Sequence, residues 1–220
     1  MQSWEYLDKS HFISLQDLPK FHNIRLNFYG KGHCFSPKNK LHQVHSNRHL
    51  CVNEQSTEHL MGDAFSTEQN HCELAIRTAD CLPILIWDQH RIGGIHAGWK
   101  GLASGVIQNT LSSFKKSQLK VVIGPSIGPC CFEIGPEVIE SFKMQFSSED
   151  FFLASTKGIN DRWHLDLNQL ALFIFKEYEV PPSSIYTIRE CTHHNKKWNS
   201  YRRNGANTQH NWSTITRTSS

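Results

Sequence analysis

The chain has 220 residues, which fits one large domain or two small ones, and 38% of them are hydrophobic and 11% aromatic, which is enough for a substantial core. Its 23 Lys and Arg residues nearly balance its 20 Asp and Glu residues, and the net charge of only +3 argues against nucleic acid or an anionic membrane surface as a partner. No apolar run is as long as a membrane span, and Glu5 and Asp8 lie where a signal peptide needs an apolar centre, so we expect a soluble, cytoplasmic protein.

The first half of the chain predicts mainly strands. Residues 1–40 are polar and irregular, with a loop over residues 30–40, and residues 41–52 suggest a strand that turns near Ser46. Three more strands are predicted: one before Cys81, one after it, and one over residues 91–99. Residues 100–116 then predict a helix, because their apolar side chains recur at helical spacing.

The second half mixes strands and helices. The elements predicted there, in order, are a strand, a Gly/Pro turn and a short strand over residues 119–135, a helix over 136–146 that starts at Pro136, a helix over 165–180 stopped by Pro181, and a strand over 183–191. The tail after Asn204 is polar, and we expect it to be loosely held, although "STIT" could pair on a sheet edge. The order of elements predicts the α+β class, with residues 1–220 forming a single domain of central β-sheets flanked by helices.

Three residues of metal-binding type occur at predicted strand edges or turns. They are His45 in "QVHS", Cys81 in "TADC" and His96 in "HAGW". One thiolate and two imidazoles suit Zn²⁺, and three protein ligands leave the fourth tetrahedral position for water, as in a catalytic site. Copper also binds nitrogen and sulfur donors tightly, so Cu²⁺ is a second possible metal. Asp80, next to Cys81, could orient a ligand histidine or move a proton.

The same residues allow other interpretations. Cys81 could be a nucleophile with His96 as its base, or simply a buried cysteine. A zinc-stabilised interaction module would need a fourth protein ligand, for which His42 is the local candidate, although a strand would place it on the opposite face from His45. The 14 histidines include no H-x-H pair, which argues against a multicopper oxidase, and the seven scattered cysteines include no C-x-x-C pair.

Basic residues near these positions suggest an anion site. In "HAGWKG", Gly98 and Gly101 would allow a tight turn into a helix, whose free N–H groups together with Lys100 could hold an anion. The "SYRR" stretch adds Arg202 and Arg203, and Arg77 lies on the strand before Cys81. Arginine matches phosphate or carboxylate through paired hydrogen bonds. We therefore predict that Arg77, Lys100, Arg202 and Arg203 bind substrate or phosphate.

A series of motifs in one order resembles the YfiH family, also called the laccase-domain or polyphenol-oxidase family. The motifs are "LHQVHS", "MGDAFST", "AIRTADCLPILIWD", "GGIHAGWKGLASGVI", "VVIGPSIGPCCFEIGPEV", "HLDL" and "RECT…WNSYRRNG". The resemblance covers residues 41–205, and leaves 1–40 as a divergent N-terminal segment and 206–220 as a polar tail. It implies a YfiH-like sandwich of sheets flanked by helices.

The resemblance also implies a function. It places the zinc ligands, and with them the catalytic site, on His45, Cys81 and His96. It implies phosphorolysis of adenosine, inosine, guanosine and methylthioadenosine, and deamination of adenosine, by a protein that we expect to be a monomer with a purine nucleoside and phosphate as its partners. Alternative activities are copper-dependent polyphenol oxidation and hydrolysis of an amide in cell-wall peptide by a Cys-His pair.

Two segments depart from the family pattern. The usual "TRxGG" segment is replaced by "NFYGKGHCFSP", and the usual "GR" before the last strand is replaced by Gln209 and His210. Because the first of these segments helps to line the substrate cleft in the family, both departures bear on substrate preference.

Overall fold

The structure is a computed structural model that describes residues 12–14, 23–33, 35–53 and 57–218. The strands are β1 (Phe12–Ser14), β2 (Ile24–Tyr29), β3 (His49–Cys51), β4 (Ala64–Thr67), β5 (Glu73–Thr78), β6 (Leu82–Trp87), β7 (Ile92–Ala97), β8 (Lys120–Ile123), β9 (Glu133–Ile134), β10 (Ser155–Lys157), β11 (Trp163–Leu165), β12 (Ile185–Thr187) and β13 (Asn211–Arg217). The helices are α1 (Trp99–Ala103), α2 (Val106–Leu111), α3 (Pro136–Phe142), α4 (Ser148–Leu153), α5 (Leu167–Glu177) and α6 (Tyr201–Asn204).

The middle layer of the fold is a six-stranded sheet with the order β12-β8-β6-β7-β4-β3. Strand β6 shows how this sheet separates two cores, because successive side chains of a strand point to opposite faces. Ile84 and Ile86 pack in a cluster with the apolar faces of the helices, whereas Leu85 and Trp87 pack against the second sheet. That second sheet has the order β1-β2-β13-β5, and a small sheet, β10-β11-β9, lies beside the helices.

Most predicted elements are confirmed. The strands on either side of Cys81 are β5 and β6, the next strand is β7, and the helix that begins at Pro136 is α3. The helix predicted over residues 100–116 is instead two short helices, α1 and α2. The break between them falls at Gly105, which has a φ of +90° and therefore cannot continue a right-handed helix.

Two expectations about the ends of the chain are wrong. Residues 1–40 are not irregular throughout, because β2 is a six-residue strand within them. The stretch after Asn204 is not loosely held, and "STIT" does not lie on a sheet edge. It belongs to β13, which pairs with β2 on one side and β5 on the other. The side chains of Ser213 and Thr214 are buried although both are polar.

The predicted single α+β domain with central sheets and outer helices is the observed architecture. Among the described residues, no helix combines the length and the apolar character needed to cross a bilayer. The part of this fold that matters for function is one end of the antiparallel pair β6 and β7. Leu82 opposes Ala97 and Pro83 opposes His96, so Cys81 and His96 lie at the same end of the sheet.

Candidate metal centre and cleft

His45, Cys81 and His96 come together at this end of the sheet. Their potential ligand atoms lie within 4.8 Å of one another, and Cys81 Sγ is 3.8 Å from His45 Nε2. A tetrahedral Zn²⁺ with bonds of about 2.3 Å to sulfur and about 2.0 Å to nitrogen would hold those two atoms about 3.5 Å apart. The spacing and the chemistry of the three donors therefore fit zinc, and no further His, Cys, Asp or Glu among the described residues joins this group.

Asp63 holds two of the three side chains in place, and sequence reasoning missed it. It immediately precedes β4, is fully buried, and lies 2.8 Å from His96 Nδ1 through its Oδ1. Its carboxylate also accepts hydrogen bonds from the backbone N–H groups of Val44, His45 and Ser46 and from the Ser46 hydroxyl. With Nδ1 engaged by Asp63, Nε2 is the ring nitrogen of His96 that can bind a metal, which is the usual arrangement of a histidine ligand.

These contacts also explain the backbone at His45, which has a left-handed φ of +60°. A residue other than glycine rarely adopts this conformation unless the surrounding structure imposes it. Three consecutive N–H groups converge on one buried carboxylate, and this convergence supplies the constraint. The loop between β2 and β3 is therefore rigid where it presents the imidazole.

The ionisable groups of Cys81, His96 and Asp63 shift one another's pKa. Burial raises the pKa of Cys81, but the opposing effects of His96 and His45 are larger and lower it to about 6. Burial lowers the pKa of His96, whereas the Cys81 thiolate and Asp63 raise it to about 9. Burial of Asp63 is likewise outweighed by hydrogen bonds from His96 and Ser46, which bring its pKa to about 2. The thiol is thus ready to ionise, as a metal ligand or a nucleophile requires.

Gly98 leaves room for this group of side chains. A Cβ at this position would lie 3.0 Å from Cys81 Sγ and 3.0 Å from His45 Cδ2. The chain passes from β7 to α1 through Gly98 alone, and neither Gly98 nor Gly101 has a positive φ, so this turn does not depend on a left-handed glycine. Close approach is the reason for Gly98. The helix that follows, α1, has five residues and no side-chain cap. Such a short helix has little dipole to attract an anion.

The trio lies in a cleft with a volume of about 760 Å³. Its lining combines apolar and basic side chains, and includes Trp99, Ile127, Phe132, Tyr201, Arg77, Lys100, Arg202 and His210. A cleft of this size holds a small organic molecule. The pKa of His210 is lowered by partial burial and by the charges of Arg77 and His96, so its ring is uncharged near neutral pH.

The basic residues selected from sequence do not all reach this cleft. Arg202 borders it, lies over the Phe132 ring, and donates to the backbone carbonyls of Cys131 and Glu133. Arg203 does not line the cleft. Its guanidinium donates to three backbone carbonyls, those of Thr192, His193 and Trp198. Arg203 therefore braces the loop that precedes α6.

Asp80 makes hydrogen bonds that differ from those of Asp63. Its carboxylate accepts from the Thr192 and Ser200 hydroxyls at 2.6 and 3.0 Å, and from the backbone N–H of Arg202 at 2.6 Å. Its own backbone has a φ of +91°. Asp80 thus joins the start of β6 to the segment around residues 192–202, and the carboxylate that contacts a candidate ligand histidine is Asp63.

Comparison with known proteins relates this arrangement to a family. The family described as multi-copper polyphenol oxidoreductase laccase matches residues 31–218. The purine nucleoside phosphorylase of Aquifex aeolicus is 31% identical over 175 residues, which are 77% of this chain and 79% of the relative. Purine nucleoside phosphorylase YfiH of Escherichia coli is 32% identical over 170 residues, 74% of this chain and 67% of that protein.

The chain belongs to the YfiH family. Its fold agrees with that assignment, since the crystal structure of YfiH from Bacillus licheniformis matches it with a TM-score of 0.84 at 19% identity, over 96% of this chain and 98% of that one. The family resemblance drawn from the ordered motifs is therefore confirmed.

The two segments that depart from the YfiH pattern have different positions. His210, in place of the usual family residue, borders the cleft, whereas the described residues of the 27–37 segment do not line it. One signal for Asp63 was available in the sequence, because it is the acidic residue of the family motif "MGDAFST". A buried carboxylate needs an internal partner, and here that partner is His96.

Proposed function

We propose that this YfiH-family chain is a zinc-dependent enzyme that cleaves purine nucleosides with phosphate and also deaminates adenosine. The observation that carries the proposal is a three-donor Cys-His-His group, braced by a buried carboxylate, in a cleft that has both aromatic and basic walls. Relatives that match this chain over most of their own length are named purine nucleoside phosphorylase, and these names support the same substrate class.

The metal centre would use His45, Cys81 and His96. When bound there, Zn²⁺ would supply a Lewis acid and lower the pKa of water. Asp63 keeps His96 oriented through its contact with Nδ1, and the Cys81 thiol ionises readily. Two imidazoles face one thiol in this site, whereas a cysteine nucleophile needs only one base, so the donor set favours a ligand role for Cys81.

The walls of the cleft suit a nucleoside. Phe132 and Tyr201 offer aromatic faces on which a purine can stack, and uncharged His210 can exchange a hydrogen bond with a base or ribose. Deamination consumes water and releases ammonia from C6 of adenine. The Cys-His-His group lies in the same cleft as these aromatic side chains, which would place water and a stacked purine close together.

Phosphorolysis requires an anion site in the same cleft. A phosphate oxygen forms a bond to C1′ of the ribose while the bond from C1′ to the purine nitrogen breaks, and the purine leaves with the electron pair and takes up a proton. Arg77, Lys100 and Arg202 are the basic residues that border the cleft, and we assign them to phosphate. Arg203 supports them indirectly, because its hydrogen bonds hold the preceding loop.

The oxidase alternative needs several copper ions close together and surrounded by histidines. Among the described residues, the Cys-His-His group contains two histidines, and a second group that could hold a metal contains one. The members of that second group are Cys130, Cys131, Cys191 and His194. This donor set fits a single metal ion in each group, and we therefore do not propose multicopper oxidation.

The test is a nucleoside panel assayed with zinc-loaded protein that contains no copper. We expect adenosine, inosine, guanosine and methylthioadenosine to release their purine base only when phosphate is present, with a sugar 1-phosphate as the second product. Adenosine should yield inosine with or without phosphate. Chromatography of both products measures the result, and the absence of purine release from every nucleoside by fully loaded protein would contradict the proposal.

The Arg202→Ala variant tests the anion site separately. Loss of a charge-assisted hydrogen bond of about 1.5–3 kcal/mol should raise the KM for phosphate about tenfold or more. The rate of phosphate-independent deamination should change much less. Steady-state kinetics of the two reactions measures the split, with Arg162→Ala as a control because that side chain is 50% exposed and pairs with Asp161. A parallel loss of both activities, or no change in either, would remove Arg202 from the phosphate site.

A further inference from the structure

A second group of metal-binding side chains lies outside the Cys-His-His trio. Cys130, Cys131, Cys191 and His194 each offer one ligand atom, and these four atoms all lie within 4.8 Å of one another. All three cysteines are free thiols. Cys130 and His194 are exposed, whereas Cys131 and Cys191 are half-buried, so an ion could enter from solvent.

Two loops that are distant in sequence bring these residues together. Cys130 and Cys131 lie in the turn between β8 and β9, where the N–H of Cys131 donates to the Gly128 carbonyl. Cys191 follows β12 and pairs with Ser126 in an isolated parallel bridge, and the turn after it presents His194. The group therefore rests on hydrogen-bonded backbone at both loops.

The distances within the group match those around zinc. Cys130 Sγ is 3.6 Å from Cys131 Sγ and 3.6 Å from His194 Nδ1. A tetrahedral zinc ion with usual bond lengths separates two sulfur ligands by about 3.8 Å, and a sulfur from a nitrogen ligand by about 3.5 Å. Two pairs of ligand atoms thus already have nearly the spacing that a single ion would impose, and all four atoms lie within 4.8 Å of one another.

The surroundings also favour the thiolate form of one of these ligands, Cys191. The backbone N–H of Gly128 donates to Cys191 Sγ at 3.3 Å, which is the type of outer hydrogen bond that stabilises a metal-bound thiolate. The loop that carries Cys191 and His194 is fixed by the Arg203 guanidinium, which donates to the carbonyls of Thr192 and His193. Both features would orient the ligands before an ion binds.

We propose that Cys130, Cys131, Cys191 and His194 form a second zinc site that is structural and separate from the Cys-His-His centre. Four protein ligands leave no position for water or substrate, and a set of three cysteines and one histidine is typical of structural zinc. This site ties the turn between β8 and β9 to the loop that follows β12.

The two joined loops adjoin the cleft, and this position gives the second site its role. Ile127 and Phe132 flank the turn that carries Cys130 and Cys131, and both line the cleft. Thr192, next to Cys191, donates to Asp80, next to Cys81. Zinc at the second site therefore keeps one wall of the cleft in position relative to the first site.

Zinc counting tests this proposal without any substrate. Under reducing conditions, with copper excluded, the wild-type chain should hold about two zinc ions, one for each donor group. The Cys130→Ser, Cys191→Ser double variant should hold about one, and its thermal unfolding midpoint should fall. Cys51→Ser is the matched control, because Cys51 is an exposed free thiol in neither group, and it should keep both ions.

A second variant keeps the result decisive if the double variant does not fold. Cys81→Ser leaves the four-residue group intact, and X-ray absorption of its remaining zinc should show mainly sulfur neighbours. Remaining zinc with mainly nitrogen and oxygen neighbours, or no zinc at all in this variant, would overturn the proposal. So would unchanged zinc content in a folded double variant, or a disulfide among these cysteines in freshly purified, zinc-supplied protein. None of these measurements depends on nucleoside turnover, so the two proposals can fail independently.

Discussion

Cys81→Ser is expected to remove about one zinc ion per chain and to lower nucleoside turnover by about a hundredfold or more. A thiol ionises when it binds zinc, whereas a serine hydroxyl stays protonated near neutral pH and is a poor ligand. His96 and His45 already lower the pKa of Cys81 to about 6, and a serine would lose that advantage. A strong chelator should inactivate the wild type in the same way, and added Zn²⁺ should restore its activity.

A nucleophilic Cys81 would give a different set of results. Elemental analysis would find unchanged zinc in Cys81→Ser, and mass spectrometry of the wild type with substrate would reveal a covalent adduct on Cys81. Alkylation would then inactivate the protein, whereas a chelator would not. Cys51→Ser again serves as the control, and we expect it to match the wild type in both zinc and turnover because Cys51 lies in neither group.

Asp63→Asn is expected to lower the free energy of unfolding by about 3–5 kcal/mol, measured by urea denaturation in the presence of a chelator. The carboxylate is fully buried and pairs with His96, and it also accepts from three consecutive backbone N–H groups. An amide of the same size carries no charge and presents an NH₂ group where one carboxylate oxygen now accepts. His96 would then be left without its charged partner, and the left-handed His45 would lose its restraint.

The same variant should bind zinc at the Cys-His-His centre about 10–100-fold more weakly, as measured by competition with a chromophoric chelator. Asp161→Asn provides the comparison, because Asp161 is 65% exposed and its replacement should change stability by less than about 0.5 kcal/mol. Wild-type stability and zinc affinity in Asp63→Asn would show that Asp63 does not organise the site.

Local sequence patterns predicted the elements around the candidate site well. Apolar runs marked β6 and β7, and the position of Cys81 before one strand and of His96 near the end of the next placed both at one end of the sheet. Residue chemistry then selected His45. These inferences succeeded because strands that follow each other in the chain are usually also neighbours in the sheet.

Features that depend on distant pairing were not predictable in the same way. Asp63 contacts His96 because β4 pairs with β7, and nothing in the local pattern specifies that pairing. Cys191 reaches Cys130 because one bridge joins Ser126 to Cys191, so cysteines that look scattered in sequence form a group in space. Strand β13 looked like a polar tail because Ser213 and Thr214 are polar, yet Thr214 accepts a hydrogen bond from Asn27 of β2 in the buried sheet.

The position of β13 has a consequence for the synthesis of the protein on the ribosome. Strands β2 and β5 are both made early, but in their sheet they flank β13 and do not pair with each other. Until residues 211–217 emerge from the exit tunnel, β2 and β5 each present to this vacant place an edge of unpaired backbone groups, and such edges promote association between nascent chains. Five of the six strands of the middle sheet are made before residue 124, whereas the sheet that covers its other face must wait for β13. During this interval the two open edges make the growing chain prone to association.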